Sequence, residues 1–176
     1  MIAFVCLSLC IPVASADEPE GVFVPTYKVF MVDFVEKVKA IDSGLAEAIY
    51  KDCCVDGEWN TPTHEWVWYF SISTDLRIYE GSNYLESIYI TIPQFAMEEE
   101  EQLFKDLIIA AATSIYPAAD AEFEQSLFDN IRYDYVIDSP AGYMTLYWNC
   151  GVYAFKFSKM GDEYQFEITL TVYDGK

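Results

Sequence analysis

Between Tyr164 and Tyr173 a large apolar residue occupies every second position. Tyr164, Phe166, Ile168, Leu170 and Val172 alternate with Gln165, Glu167, Thr169 and Thr171. Successive side chains of a strand point to opposite faces, so this segment is a β-strand with one dry and one wet face. Such a strand belongs in an antiparallel sheet covered on one side only. The pattern recurs. Ile88, Ile90 and Ile92 alternate within Glu86 to Ile92, and Pro93 closes that strand. Trp66, Trp68, Phe70 and Ile72 alternate with Val67, Tyr69, Ser71 and Ser73. Shorter strands are expected at Leu76 to Tyr79 and Tyr133 to Ile137. Tyr143 to Cys150 and Val152 to Ser158 should form a hairpin meeting around Asn149 to Gly151. Further turns are expected at Asp56 to His64, Gly81 to Asn83, Ser139 to Gly142 and Met160 to Asp162.

Two stretches change to helical period. Phe30, Phe34, Val38 and Ile41 form one stripe after Pro25-Thr26, and Ser43-Gly44 ends or kinks that helix. Leu45 to Lys51 fits more helix or a first strand. Met97 to Tyr116 carries Leu103, Leu107, Ala111 and Ile115, widened by Phe104 and Ile108. It opens with four glutamates, Glu98 to Glu101, where the helix dipole favours negative charge. Pro117 stops it. A shorter helix, Ala121 to Asn130, turns Phe123 and Leu127 inward. The order of helix, strands, helices, strands predicts an α+β fold. Its antiparallel sheet should carry two main helices and a short third on one face. The two halves read as a weak helix-then-strands duplication, without a residue-level repeat.

The amino terminus reads as an export signal. Ile2 to Val13 is uncharged and apolar, Ala14-Ser15-Ala16 is a small-residue cleavage triplet, and Asp17-Glu18-Pro19-Glu20 follows. Twelve such residues are fewer than the roughly 20 that a membrane span needs. The expectation is a signal peptide over 1–16 and one α+β domain over 17–176, secreted or extracytoplasmic, with no stable membrane insertion after cleavage. The leader lacks the usual Lys or Arg at its start. A lipid on Cys10 is the alternative, although Leu9 is large for a lipid-attachment box.

The chain has a net charge of −19, from 29 acids against 10 bases. Acids spread over both halves, so the charge reads as a solvated surface rather than a tail. With no basic patch, nucleic acid and anionic membranes are poor partners. Beyond the leader the cysteines are Cys53, Cys54 and Cys150, an odd number. Either Cys53 or Cys54 bridges to Cys150, or all three stay reduced.

Chemistry is sparse. The one histidine is His64, in Thr61-Pro62-Thr63-His64-Glu65. A thiol or hydrolytic site would join His64 to Cys54, another cysteine or a carboxylate, but no nucleophile elbow, HExxH or phosphate loop flanks it. Asp52, Asp56 and Glu58 offer oxygens without EF-hand spacing, so neither a metal nor any other cofactor is expected. Tyrosines are the better lead. If Trp68, Ile90 and Phe166 face the core, Tyr69 and Tyr89 point to the other face, and Tyr143 and Tyr147 share one face of their own strand. Tyrosine offers stacking area and a hydroxyl, suited to protein or glycan contacts. These residues point to a non-enzymatic protein- or glycan-binding module; the alternative is a secreted hydrolase or thiol enzyme using His64.

Overall fold

A computed structural model of the chain describes residues 25–55, 58, 59, 63–65, 73–78, 85–93, 95, 97–116, 119 and 121–171. The leader, Trp68, Tyr69 and most of the Trp66–Ser73 strand lie outside these residues, as do the expected turn at 81–83 and most of the one at 56–64.

The first helix, α1, spans Tyr27–Ile41 and is capped by Thr26, whose hydroxyl accepts from Val29 N at 3.3 Å. Phe30, Phe34 and Val38 are buried on its stripe, as expected, and Met31 joins them. Asp42 breaks the helix and restarts it. Its backbone is extended, and its carboxylate accepts from Gly44 N and Leu45 N at 2.8 and 2.9 Å. The ambiguous segment is therefore helix α2, Ser43–Cys53. A two-stranded ribbon follows, β1 at Cys54–Val55 and β2 at Glu58–Trp59.

The main sheet is antiparallel throughout. Its strands are β3 (Thr63–Glu65), β4 (Ser73–Ile78), β5 (Leu85–Pro93), β6 (Tyr143–Cys150), β7 (Tyr153–Met160) and β8 (Glu163–Leu170). Their order is β3-β4-β5-β8-β7-β6. Two meanders thus join at the centre, where β5 pairs with β8. Both turns of the second meander are two residues long, Gly151-Val152 and Gly161-Asp162. Gly151 and Gly161 have φ of 57° and 66° in the first turn position, which matches a type II′ hairpin.

Three helices separate the meanders: α3 (Glu98–Ile115), α4 (Ala121–Asn130) and α5 (Tyr133–Ile137). Glu100 accepts from Met97 N at 3.2 Å at the start of α3, and Glu101 pairs with Lys105 at 2.7 Å. The four glutamates thus begin a helix, where they favour the dipole. Ala110, Ala111 and Ala112 are all buried, since α3 is packed against both α1 and the sheet. Small side chains permit that close approach on more than one side.

One expected strand is a helix. Tyr133 to Ile137 forms α5, with Tyr133 and Val136 buried. Tyr133, Tyr135 and Ile137 alternate, but Tyr133 and Val136 also satisfy a helical spacing. Five residues cannot separate the two periods. Tertiary contact decides: Tyr133 stacks on Phe157 of β7, centroids 4.6 Å apart and planes within 6°, and meets Phe128 of α4 edge-on at 5.4 Å. The helical cover also comprises five helices among the described residues, two more than the sequence suggests. The α+β class and the antiparallel sheet stand as expected. Among the described residues no helix is long and apolar enough to cross a membrane.

Candidate functional site

Directly paired residues of antiparallel strands share a face, so the register sorts every side chain. Ile90, Phe166, Phe157 and Leu146 form one cross-strand row; Ile88, Ile168, Phe155 and Trp148 form the next. Phe104, Tyr116, Phe123 and Tyr133 from the helical layer contact these rows at ring-centroid distances of 4.6 to 6.4 Å. This is the covered face. Ile90 and Phe166 lie on it, as the alternation predicts, at 1% and 0% exposure.

The opposite face is polar. One row runs Tyr89, Glu167, Lys156, Tyr147 across β5, β8, β7 and β6. The rows beside it are Thr91, Gln165, Ser158, Thr145 and Ser87, Thr169, Ala154, Asn149. Beyond the first of these lies Pro93, Glu163, Met160, Tyr143. Tyr89, Tyr143 and Tyr147 thus share one face. Tyr143 and Tyr147 are 80% and 67% exposed, and Tyr89 is half-buried. Three strand spacings separate Tyr89 from Tyr147, about 14 Å, and four residues of strand separate Tyr143 from Tyr147, also about 14 Å. The tyrosines mark three corners of a platform. Tyr69, the fourth residue expected there, lies outside the described residues.

Hydrogen bonds stiffen the platform floor. Lys156 Nζ donates to Glu167 Oε1 at 2.8 Å, and the Thr169 hydroxyl donates to the same oxygen. Gln165 Nε2 donates to Thr91 Oγ1 at 3.2 Å, and the Thr145 and Ser158 hydroxyls lie 3.0 Å apart. The ion pair is partly solvated, worth about 0–1 kcal/mol, and mainly fixes two side chains between two tyrosines. At the platform end, Gly161 N donates to Gly142 O at 2.6 Å and ties the β7–β8 turn to the start of β6.

Lys156, Glu167, Gln165 and Thr91 escaped sequence reasoning. The signal was present: with two-residue turns, counting outward from Gly151-Val152 pairs Tyr147 with Lys156. Counting from Gly161-Asp162 then pairs Lys156 with Glu167.

The cysteines and His64 lie elsewhere. His64 sits in β3, at the sheet edge remote from β6, opposite Thr74. Cys53 is buried at the end of α2, and Cys54 caps that helix. Hydrogen bonding to Cys54 raises the pKa of Tyr50. Cys150 ends β6 half-buried, and burial pushes its thiol above the ordinary value. That keeps the thiol neutral, the reverse of an activated nucleophile. The Tyr116 hydroxyl donates to the Cys150 carbonyl. Burial raises the pKa of Tyr116 too, so this donor keeps its proton. No disulfide is formed among the described cysteines. Asp56 of the proposed oxygen cluster lies outside the described residues.

Comparison of the chain with protein-family models, with curated proteins and with solved structures finds no match.

Proposed function

We propose that this protein is an exported, non-enzymatic binding module, one domain from Asp17 onward, that takes a protein or glycan on the open sheet face. The observation that carries the reading is the exposure of Tyr143 and Tyr147, 80% and 67%, on the same face as Tyr89. Aromatic side chains held that far into water gain by being covered, and their hydroxyls can hydrogen-bond the covering group. Between them lie Thr91, Thr145 and Gln165, with Thr169 beside them, donors and acceptors suited to a ligand rich in hydroxyls or amides. The net charge of −19 disfavours anionic ligands.

Calorimetric titration with a panel of neutral oligosaccharides tests the glycan form; cross-linking in the exporting cell tests the protein form. Tyr147→Ala should weaken whichever ligand binds by about 1–2 kcal/mol, with the fold retained. His64→Ala should leave binding unchanged. Binding that is indifferent to Tyr89→Ala, Tyr143→Ala and Tyr147→Ala would remove the face from consideration. A hydrolytic or thiol-transfer turnover lost in His64→Ala, with folding intact, would establish the enzyme instead.

A further inference from the structure

We infer that the outer edge of β6 is a self-pairing surface, through which two copies of this chain join β6 to β6 antiparallel and continue one sheet into the other. Three observations carry this.

The first is charge. The chain holds 29 acids, yet residues 139 to 161 contain none. The β6–β7 hairpin carries only Lys156 and Lys159, and both are engaged. Lys156 pairs with Glu167 at 2.8 Å, and Lys159 donates to the Ser139 carbonyl at 2.8 Å. β6 itself has no charged residue. Two copies at −19 repel over most approaches, but paired β6 strands set no charge of their own against its like; the acids beside this edge belong to α4 and α5, Glu122, Glu124 and Asp134 among them.

The second is the edge. Among the described residues β6 ends the six-strand order, and it pairs with β7 over eight residues without a register shift. Edge strands are ordinarily guarded by charge, proline, a bulge or short length. Tyr143 to Cys150 has none of these. The two-residue turn makes Cys150 and Tyr153 exchange hydrogen bonds, so Cys150, Trp148, Leu146 and Met144 direct their backbone groups toward β7. The N–H and C=O groups of Tyr143, Thr145, Tyr147 and Asn149 then point outward.

The third is the apolar row. Met144, Leu146 and Trp148 are only half-buried on the covered face, whereas Phe157 and Phe155, the partners of Leu146 and Trp148, are fully buried. A two-fold axis at Leu146 sets Leu146 against its own copy and Met144 against the second copy's Trp148. Each half-covered side chain thereby gains an apolar neighbour. On the open face Thr145 then meets Tyr147 and Tyr143 meets Asn149, so the two tyrosine platforms run together. Tyr143 and Tyr147 flank this seam, but backbone hydrogen bonds and the covered-face row hold it, so the Leu146→Cys cross-link tests self-pairing without any ligand on the open face.

Sedimentation velocity of the purified chain over a micromolar-to-millimolar series should give a concentration-dependent mass twice that of the monomer. Thr145→Pro removes one outward N–H, is tolerated on an edge strand, and should return the monomer with circular dichroism unchanged. Leu146→Cys should form a covalent dimer on mild oxidation, because the two copies lie side by side at the axis, and Tyr143→Cys should not. A monomer at every concentration overturns the inference, including one that captures another protein's strand instead. So does a dimer untouched by Thr145→Pro, or equal cross-linking through both positions. If Thr145→Pro does not fold, the cysteine pair decides.

Discussion

β6 and β7 lie side by side, pair over eight residues and alternate with one period, yet their apolar rows end differently. Phe155 and Phe157 of β7 are 0% exposed; Trp148 and Leu146, their direct partners on β6, stay half-buried. Both rows face the helices. The difference is lateral. β7 has β8 on one side and β6 on the other, and rings of Phe104, Tyr116, Phe123 and Tyr133 above it. β6 has one strand neighbour among the described residues. Parity chooses a side chain's face, but depth of burial needs neighbours on both flanks.

Truncating both members of one cross-strand pair separates the two depths of burial. Phe157→Ala should cost about 3–5 kcal/mol, because rings of Phe104, Tyr133 and Tyr164 surround the void. Leu146→Ala, across the ladder from it, should cost under about 2 kcal/mol, since its site is already partly wet. Urea unfolding measures both; equal losses would mean the edge is as deeply packed as the centre.

The β6–β7 turn joins the deeply packed strand to the edge strand at their closed end. Gly151 has φ 57°, and a Cβ there would lie 2.9 Å from Tyr116 Oη. Gly151→Ala should therefore cost about 1–3 kcal/mol, combining left-handed strain with displacement of the Tyr116 hydroxyl from Cys150 O. Thermal melts read the loss, and an unchanged melting temperature would show that Tyr116 does not hold this turn.

The smallest effect at neutral pH concerns buried hydroxyls. Burial raises the pKa of Tyr116, Tyr133 and Tyr153 above the ordinary 10.0. Each prefers its neutral form in the folded state, so its contribution is fully present below about pH 10. That contribution falls as pH rises through the folded values, because the unfolded chain ionises first. Stability should thus decline above pH 10, with part of the tyrosinate absorbance appearing only as near-ultraviolet dichroism is lost. Complete tyrosine ionisation with tertiary structure intact would contradict the burial of these rings.

What the sequence determined is local and periodic. The stripe of α1, the extents of α4 and β6, and the inward sets Ile88-Ile90-Ile92 and Tyr164-Phe166-Ile168 follow from side-chain spacing, which the backbone geometry converts directly into a face. The shared face of Tyr143 and Tyr147 was legible for the same reason, because two residues four apart on one strand have one parity. Tertiary structure decided what spacing leaves degenerate. Tyr133 to Ile137 fits two periods, and stacking on Phe157 made it helix. Leu45 to Lys51 fits helix or strand, and packing against α1, which buries Leu45, Ala46 and Ile49, made it α2. Placing Tyr89 in one row with Tyr147 required β5 to pair with β8. That long-range choice depends on how two meanders bury their apolar faces under one helical layer, and no single strand's pattern encodes it.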